Sequence, residues 1–216
     1  MKKYKYVLFD LDGTLNDSEP GIFASLRQAL SYFGINGETD DNLRKMIGPP
    51  LGQSFMQYYG FDEQKALLAL DKYRERYTDI GIYENSVYDG IYELLTQLKK
   101  EEFVLILATS KPEIYAKRIL KHYNLEKYFS FVSAGDLEQK HSEKVDIIRK
   151  ALSEINIINL SEAVMIGDRK FDINGANLCG IDSIGVLYGY GDREELEKSE
   201  ATYIAEKVSD IITFLL

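Results

Sequence analysis

Four apolar residues, Tyr6-Val7-Leu8-Phe9, run straight into Asp10-Leu11-Asp12-Gly13-Thr14. A short run that is apolar at every position suits a strand buried on both faces, as in the middle of a parallel sheet. Runs of the same kind cover residues 103–108, 129–133 and 163–166, with a weaker one over 183–186. Between them apolar residues recur at helical spacing. Ile91, Leu94, Leu95 and Leu98 share a face, as do Ala116, Ile119, Leu120 and Tyr123. The clearest stripe is Val145, Ile148, Ala151, Leu152 and Ile155, with Ser142 placed as its N-cap. Strands alternating with helices predict an α/β fold built on a Rossmann-like, doubly wound parallel sheet. In such sheets ligands sit beyond the carboxyl ends of the strands.

The alternation breaks over residues 17–85, where every pattern is helical. Ile22, Phe23, Leu26, Ala29, Leu30 and Phe33 make one amphipathic helix that begins near Pro20 and stops at Gly34. A second helix is predicted over 39–48 before Pro49-Pro50, and a third over 51–59 before Gly60. A fourth carries Leu67, Leu70, Tyr73 and Tyr77. The expected organisation is therefore an α/β core of residues 1–16 and 86–216 with an inserted all-helical domain of residues 17–85.

The 216 residues hold 26 Lys plus Arg against 35 Asp plus Glu, a formal charge of −9. That balance speaks against a nucleic acid polymer as partner, since backbone binding needs a basic surface. A single cysteine, Cys179, excludes an intrachain disulfide and a cysteine-built zinc site. The first apolar run is too short for a signal peptide, and the longest, over 103–108, is too short to span a bilayer. A cytoplasmic protein with no membrane association is expected. No coiled-coil heptads or other association signal stand out, which leaves monomer or homodimer open.

The strand-end residues form a constellation. Asp10, Asp12, Gly13 and Thr14 follow the first run, Thr109, Ser110 and Lys111 the second, and Gly167 and Asp168 the fourth, with Asp172 four residues on. Lys144 lies in the first turn of the helix before that fourth run. Bringing Asp10, Asp12 and Asp168 together is repulsive, at roughly 4 kcal/mol per pair at about 4 Å and an effective dielectric near 20. A divalent cation removes that repulsion, and an all-oxygen donor set suits Mg²⁺. One carboxylate could then attack phosphorus, while the second gives a proton to the leaving oxygen and later takes one from water.

Asp10-Leu-Asp12-Gly-Thr14, the Thr109 strand end, Lys144 and Gly167-Asp168-Arg-Lys-Phe-Asp172 resemble the four motifs of the haloacid dehalogenase-like superfamily. The place of the helical insert is similar to that in its phosphoglycolate phosphatase-like branch, which carries a helical cap. The resemblance implies Asp10 as nucleophile and Asp12 as general acid and base, with the Asp12 backbone carbonyl on Mg²⁺. It further implies that Thr109 and the Ser110 amide hold the phosphate with the loop at Gly13 and Thr14, and that Lys144 stabilises the nucleophile and phosphate. Asp168 would ligate Mg²⁺ and Asp172 would support its water shell. Many relatives place the motif lysine just before Pro-x-Pro, which this chain lacks; Lys144 resembles a variant placement, and Lys140 is the alternative. Arg44, Lys45 and the Gly48-Pro49-Pro50 corner resemble the cap's specificity loop, where they would meet a second charge on the substrate. Cap opening would hinge near residues 16–18 and 83–89.

The implied activity is Mg²⁺-dependent hydrolysis of a small phosphorylated metabolite, phosphoglycolate-like, through an aspartyl-phosphate; a 5′-nucleotidase is the alternative. A dehalogenase would not require Asp12, and a phosphonatase-like member lacks that acid. A phosphosugar mutase usually carries a hinge histidine about where Ile22 lies, and a non-catalytic binding module has no need of the self-repelling aspartates. Tyr58, Tyr59, Tyr73, Tyr77, Tyr83 and Tyr88 could wall a nucleobase, but helix packing accounts for them more simply. His122 and His141 lie outside the constellation, and Cys179 reads as a small packed hydrophobe.

Overall fold

The computed structural model describes residues 3–138, 140 and 142–216. The expected surface position of His141 falls outside these residues. In chain order the elements open with β1 (Tyr6–Phe9), β2 (Asn16–Asp17), α1 (Glu19–Tyr32), α2 (Asp40–Arg44), α3 (Leu51–Tyr59) and α4 (Glu63–Tyr77). They continue with β3 (Ser86–Val87), α5 (Ile91–Lys100), β4 (Val104–Pro112), α6 (Glu113–His122), β5 (Phe131–Gly135) and α7 (Lys144–Glu154). The chain ends with β6 (Ala163–Gly167), α8 (Lys170–Cys179), β7 (Asp182–Val186), α9 (Arg193–Lys198), β8 (Tyr203–Ala205) and α10 (Ile211–Leu215). Two compact units result: residues 1–16 with 87–216, and residues 17–86.

In the first unit six strands pair in the order β5-β4-β1-β6-β7-β8, every pairing parallel. β1 is central, with the chain first building outward through β4 and β5, then returning to build β6, β7 and β8 on the other side. That reversal is the switch point at which doubly wound sheets bind ligands. Register explains the core. Leu8 lies opposite Ile106 on one neighbour and Met165 on the other. All three are buried in one apolar cluster with Ile147, Ile148 and Ala151 of α7 and Ala176 of α8. Because both faces are covered, the strands need no polar alternation, which is why they read as continuous apolar runs.

Several boundaries differ from the sequence reading. Ser142 is not the N-cap of α7; Glu143 is, and its side chain makes no capping bond. β5 starts two residues later than the apolar run: residues 126–128 form a 3₁₀ turn whose last bond takes the Phe129 amide, to Glu126 O at 3.2 Å. β4 runs on past Ala108 through Thr109 to Pro112, with an irregular register between Thr109 and Pro112. β8, three residues at the sheet edge of which Tyr203 and Ile204 are half-buried and Ala205 buried, carries no apolar run long enough to signal a strand.

The second unit is helical. α1 begins at Glu19 with Pro20 in its first turn and buries Ile22, Phe23, Leu26, Ala29 and Leu30. α2 is shorter than expected: beyond Arg44 the backbone bonds tighten to three-residue spacing, Met46 N–H to Leu43 O at 2.9 Å and Ile47 N–H to Arg44 O at 3.1 Å. Gly48 then takes φ 111° before Pro49, whose ring disfavours helix in the residue it follows. α3 stops at Gly60 in the left-handed region, and Asp62 caps α4 by accepting from the Lys65 amide at 2.8 Å. α4 buries Ala66, Ala69, Leu70, Tyr73 and Tyr77, whereas Leu67, expected on the apolar face, is 56% exposed. Tyr73 and Tyr77 stack at 5.0 Å, a packing role. No helix among the described residues is long and apolar enough to cross a membrane.

The central position of Leu8 makes it the test of this core. Leu8→Ala should lower unfolding free energy by about 2–5 kcal/mol in urea titration, with an unchanged denaturant slope. A loss below about 1 kcal/mol would contradict a fully packed site against α7 and α8.

Candidate active site

At the carboxyl edge of the sheet, β1 and β6 deliver their terminal residues side by side. The Asp10 amide donates to Ile166 O at 2.9 Å, so the β1–β6 ladder continues one step beyond Phe9. Asp10, Asp168 and Asp172 are all buried, and each offers a carboxylate oxygen within 4.8 Å of the others. Lys144, itself buried at the start of α7, places Nζ 2.8 Å from Asp10 Oδ1 and 2.7 Å from Asp172 Oδ1. The same ammonium donates to Ala108 O at 3.0 Å, which ties it to β4. Lys140 is exposed, and its backbone amide donates to Asp136 Oδ1 at 3.1 Å.

The loop after β1 must turn back sharply to meet this cluster. Gly13 adopts φ 79°, and a Cβ there would lie 2.2 Å from Asp168 Oδ2, so both conformation and space demand glycine. Thr14, fully buried, donates its hydroxyl to Asp168 Oδ1 at 3.1 Å. The Tyr190 amide donates to Asp168 Oδ2 at 2.8 Å, and the Arg169 amide to Asp172 Oδ2 at 3.1 Å. Thr109 is buried at the end of β4, and its Oγ1 accepts from the Lys111 amide at 3.3 Å. Ser110 beside it is half-buried.

Asp12 points elsewhere. Its Oδ2 pairs with Lys111 Nζ at 2.7 Å, while its buried Oδ1 has no hydrogen-bond partner among the described residues. Sequence reasoning noticed Lys111 at the strand end but gave it no task. Its pairing spans 99 positions of chain, a separation that no local pattern reveals. Arg44 and Lys45 lie in the helical unit. The Arg44 guanidinium is gripped there by Glu19, with Nη2 to Oε2 at 3.0 Å, and by Asp41 at 2.8 Å. Lys45 donates to Asn42 Oδ1 at 3.2 Å.

The electrostatics follow from burial. Burial pushes the Asp10 carboxyl up to about 6; the Asp172 and Asp12 charges add to the rise and Lys144 opposes it. Asp168 is driven well above the carboxylate range by burial, then by Asp172 and Asp10. For Lys144 burial works against the charged form, but the Asp10 and Asp172 carboxylates more than offset it and hold the ammonium above its ordinary value. Three carboxylates, Asp10, Asp168 and Asp172, against one ammonium, Lys144, leave a formal charge of −2, the Asp12–Lys111 pair beside them being neutral. The cluster is all oxygen, compact and short of positive charge by one divalent ion. Those features fit a hard cation and not zinc or copper.

With sheet order, strand-end carboxylates and buried lysine in place, relationships to known proteins can be read. The haloacid dehalogenase-like hydrolase family matches residues 7–186, and the chain belongs to that family. It is 41% identical over 201 residues to a 5′-nucleotidase of Pseudomonas aeruginosa, a match that covers 93% of this chain and 90% of the relative. It is 36% identical over 199 residues to the tyrosine-protein kinase PtkA of Mycobacterium tuberculosis, covering 92% of this chain and 67% of the relative. Identity is 29% over 217 residues to a phosphoglycolate phosphatase of Vibrio parahaemolyticus, covering 96% and 94%. Among solved structures, a predicted phosphatase from Clostridium acetobutylicum matches with a TM-score of 0.94 and 47% identity over 97% of each chain.

The raised carboxyls set a pH dependence. A carboxyl with a raised folded-state pKa stays protonated where the unfolded chain has already lost the proton. Stability therefore falls as pH rises from the ordinary carboxylate range through about 6. Cation binding needs the deprotonated form and so strengthens in the same direction. Relative to protein in EDTA, Mg²⁺ should raise the melting temperature more at about pH 7.5 than at about pH 5. An equal rise at both pH values in differential scanning fluorimetry would contradict the assignment.

Proposed function

We propose that this protein is a Mg²⁺-dependent phosphatase of small phosphomonoesters that works through an aspartyl-phosphate on Asp10. The observation that carries the reading is the pairing of two carboxylates with separate surroundings on one loop. Asp10 lies buried in the acidic cluster against Lys144, and Asp12 two residues on is turned to Lys111. A nucleophile and a proton carrier for the leaving oxygen need that separation.

In the first step an Asp10 carboxylate oxygen forms a bond to phosphorus as the bond from phosphorus to the ester oxygen breaks. Asp12 delivers a proton to the departing alkoxide. In the second step water attacks phosphorus, Asp12 takes the water proton, and the Asp10–phosphorus ester opens to give inorganic phosphate. The Thr109 hydroxyl, the Ser110 amide and the loop at Gly13 and Thr14 hold the phosphoryl oxygens, and Lys144 offsets charge on Asp10 and the phosphate. Asp10, Asp168 and the Asp12 carbonyl would hold Mg²⁺, with Asp172 supporting its water shell; when bound, the ion would supply the charge neutralisation that lets an anion approach an anion.

For the substrate, identity to the relative named 5′-nucleotidase exceeds that to the one named phosphoglycolate phosphatase. A nucleoside 5′-monophosphate is thus the first substrate to test and phosphoglycolate the second. Nothing of the kinase activity named for the PtkA relative is carried over, since a third of that longer chain has no counterpart here.

Wild-type protein with Mg²⁺ should release phosphate from p-nitrophenyl phosphate, and EDTA should stop it. Asp10→Asn should lose more than about 10³-fold in kcat, and Asp12→Asn about 10²- to 10⁴-fold. Turnover in Asp10→Asn close to wild type would refute the covalent route. Comparing kcat/KM for nucleoside monophosphates and phosphoglycolate settles the substrate class.

A further inference from the structure

We infer that the loop following β7, residues 187–191, is a positioning element for the cation site, acting through Tyr188, Gly189 and the Tyr190 amide. The inference rests on the reading above that Asp168 is a cation ligand, and adds to it residues outside the family's four motifs.

Asp168 has no exposed surface, yet each of its carboxylate oxygens is held by a different loop. Thr14, from the loop after β1, donates to Oδ1 at 3.1 Å, and the Tyr190 amide donates to Oδ2 at 2.8 Å. An ionised carboxylate has about two lone-pair sites per oxygen. One donor on each oxygen therefore leaves the other site on each for a cation and fixes the plane of the carboxylate. Releasing either donor would leave a buried acceptor unsatisfied, so the orientation is held by a penalty on every alternative.

The loop reaches Asp168 only because of its glycines. Gly189 and Gly191 are not among the residues with positive φ, so conformation does not require glycine there. Space does. A Cβ on Gly189 would lie 2.2 Å from Gly13 O and 2.3 Å from Asp168 Cβ, and one on Gly191 would lie 2.0 Å from Asp168 O. The loop thus lies in direct contact with both the turn after β1 and the residue after β6. Tyr188 closes the circuit by donating its hydroxyl to Thr14 O at 3.0 Å. Tyr188 holds the Thr14 backbone, Thr14 holds one oxygen of Asp168, and Tyr190 holds the other.

This predicts effects on cation affinity from residues that would touch neither cation nor substrate. Mn²⁺ binding to the full-length protein, followed by electron paramagnetic resonance, separates the two layers of the claim. Asp168→Asn should weaken binding strongly; wild-type affinity in that variant would remove the cation reading and this inference with it. Given that loss, Tyr188→Phe should weaken Mn²⁺ binding about tenfold and Gly189→Ala about 10- to 100-fold. Metal-free Tyr188→Phe should keep the wild-type far-UV spectrum and cooperative melting, which a general loss of structure would not. Wild-type Mn²⁺ affinity in Tyr188→Phe, alongside weakened binding in Asp168→Asn, would overturn the positioning role. Should Gly189→Ala fail to fold, Tyr188→Phe alone decides.

Discussion

Mutual repulsion among buried carboxylates is the constraint around which the α/β unit is arranged. Asp10, Asp168 and Asp172, all buried, approach within 4.8 Å of one another. At about 4 Å and an effective dielectric near 20, each pair would oppose folding by roughly 4 kcal/mol if fully ionised. Lys144 bridges two of the three, and the raised affinity of Asp10 and Asp168 for protons is the residual stress. A fold that keeps such a cluster must hold it by the packing beneath, because the cluster does not hold itself.

That packing is the sheet. β1 lies between β4 and β6, and its last residue, Phe9, is in register with Leu107 on one side and Ile166 on the other. The next residue on β1 is Asp10; two residues beyond the paired position lie Thr109 on β4 and Asp168 past β6. A register slip of one residue would turn every side chain to the opposite face and replace the aspartate cluster by apolar side chains. Leu8, Ile106 and Met165, sharing one buried cluster, make that slip costly. Apolar residues on the strands thus set where the acidic ones beyond them fall.

The same logic explains what could be read from the chain alone. Strands buried on both faces announce themselves as apolar runs, so β1, β4, β6 and β7 were legible, and Asp10 and Asp168 stood out by following them. β8 was not, because an edge strand of three residues, Tyr203 to Ala205, needs no run to be stable once β7 offers its hydrogen bonds. Leu67 misled because the buried stripe of α4, which does contain Leu70, Tyr73 and Tyr77, is completed by Ala66 and Ala69 and leaves Leu67 outside it. Ser142 has the right residue type for a cap, yet its buried hydroxyl lies against Gly135 instead. The 187–191 loop was invisible for another reason: its contribution lies in a backbone amide, in missing Cβ atoms and in one distant hydroxyl bond, none of which has a residue pattern.

A division between chemistry and selection follows from where the charges are committed. In the proposed reaction Asp10, Asp12, Thr109 and Lys144 deal only with the phosphoryl group and the ester oxygen, features common to every phosphomonoester. Motifs made of such residues therefore identify a reaction and leave the alcohol half of the substrate unspecified. Arg44 illustrates why the helical unit is harder to read. As a sequence position it suggests an anion site, yet Glu19 and Asp41 already occupy its guanidinium. To bind a substrate anion it would have to exchange two carboxylates of its own unit for one of the ligand's, and a bidentate pair with Glu19 gives that exchange little net gain. Any selectivity this unit adds would depend on shape and on which ion pairs yield, and neither is written in residue type.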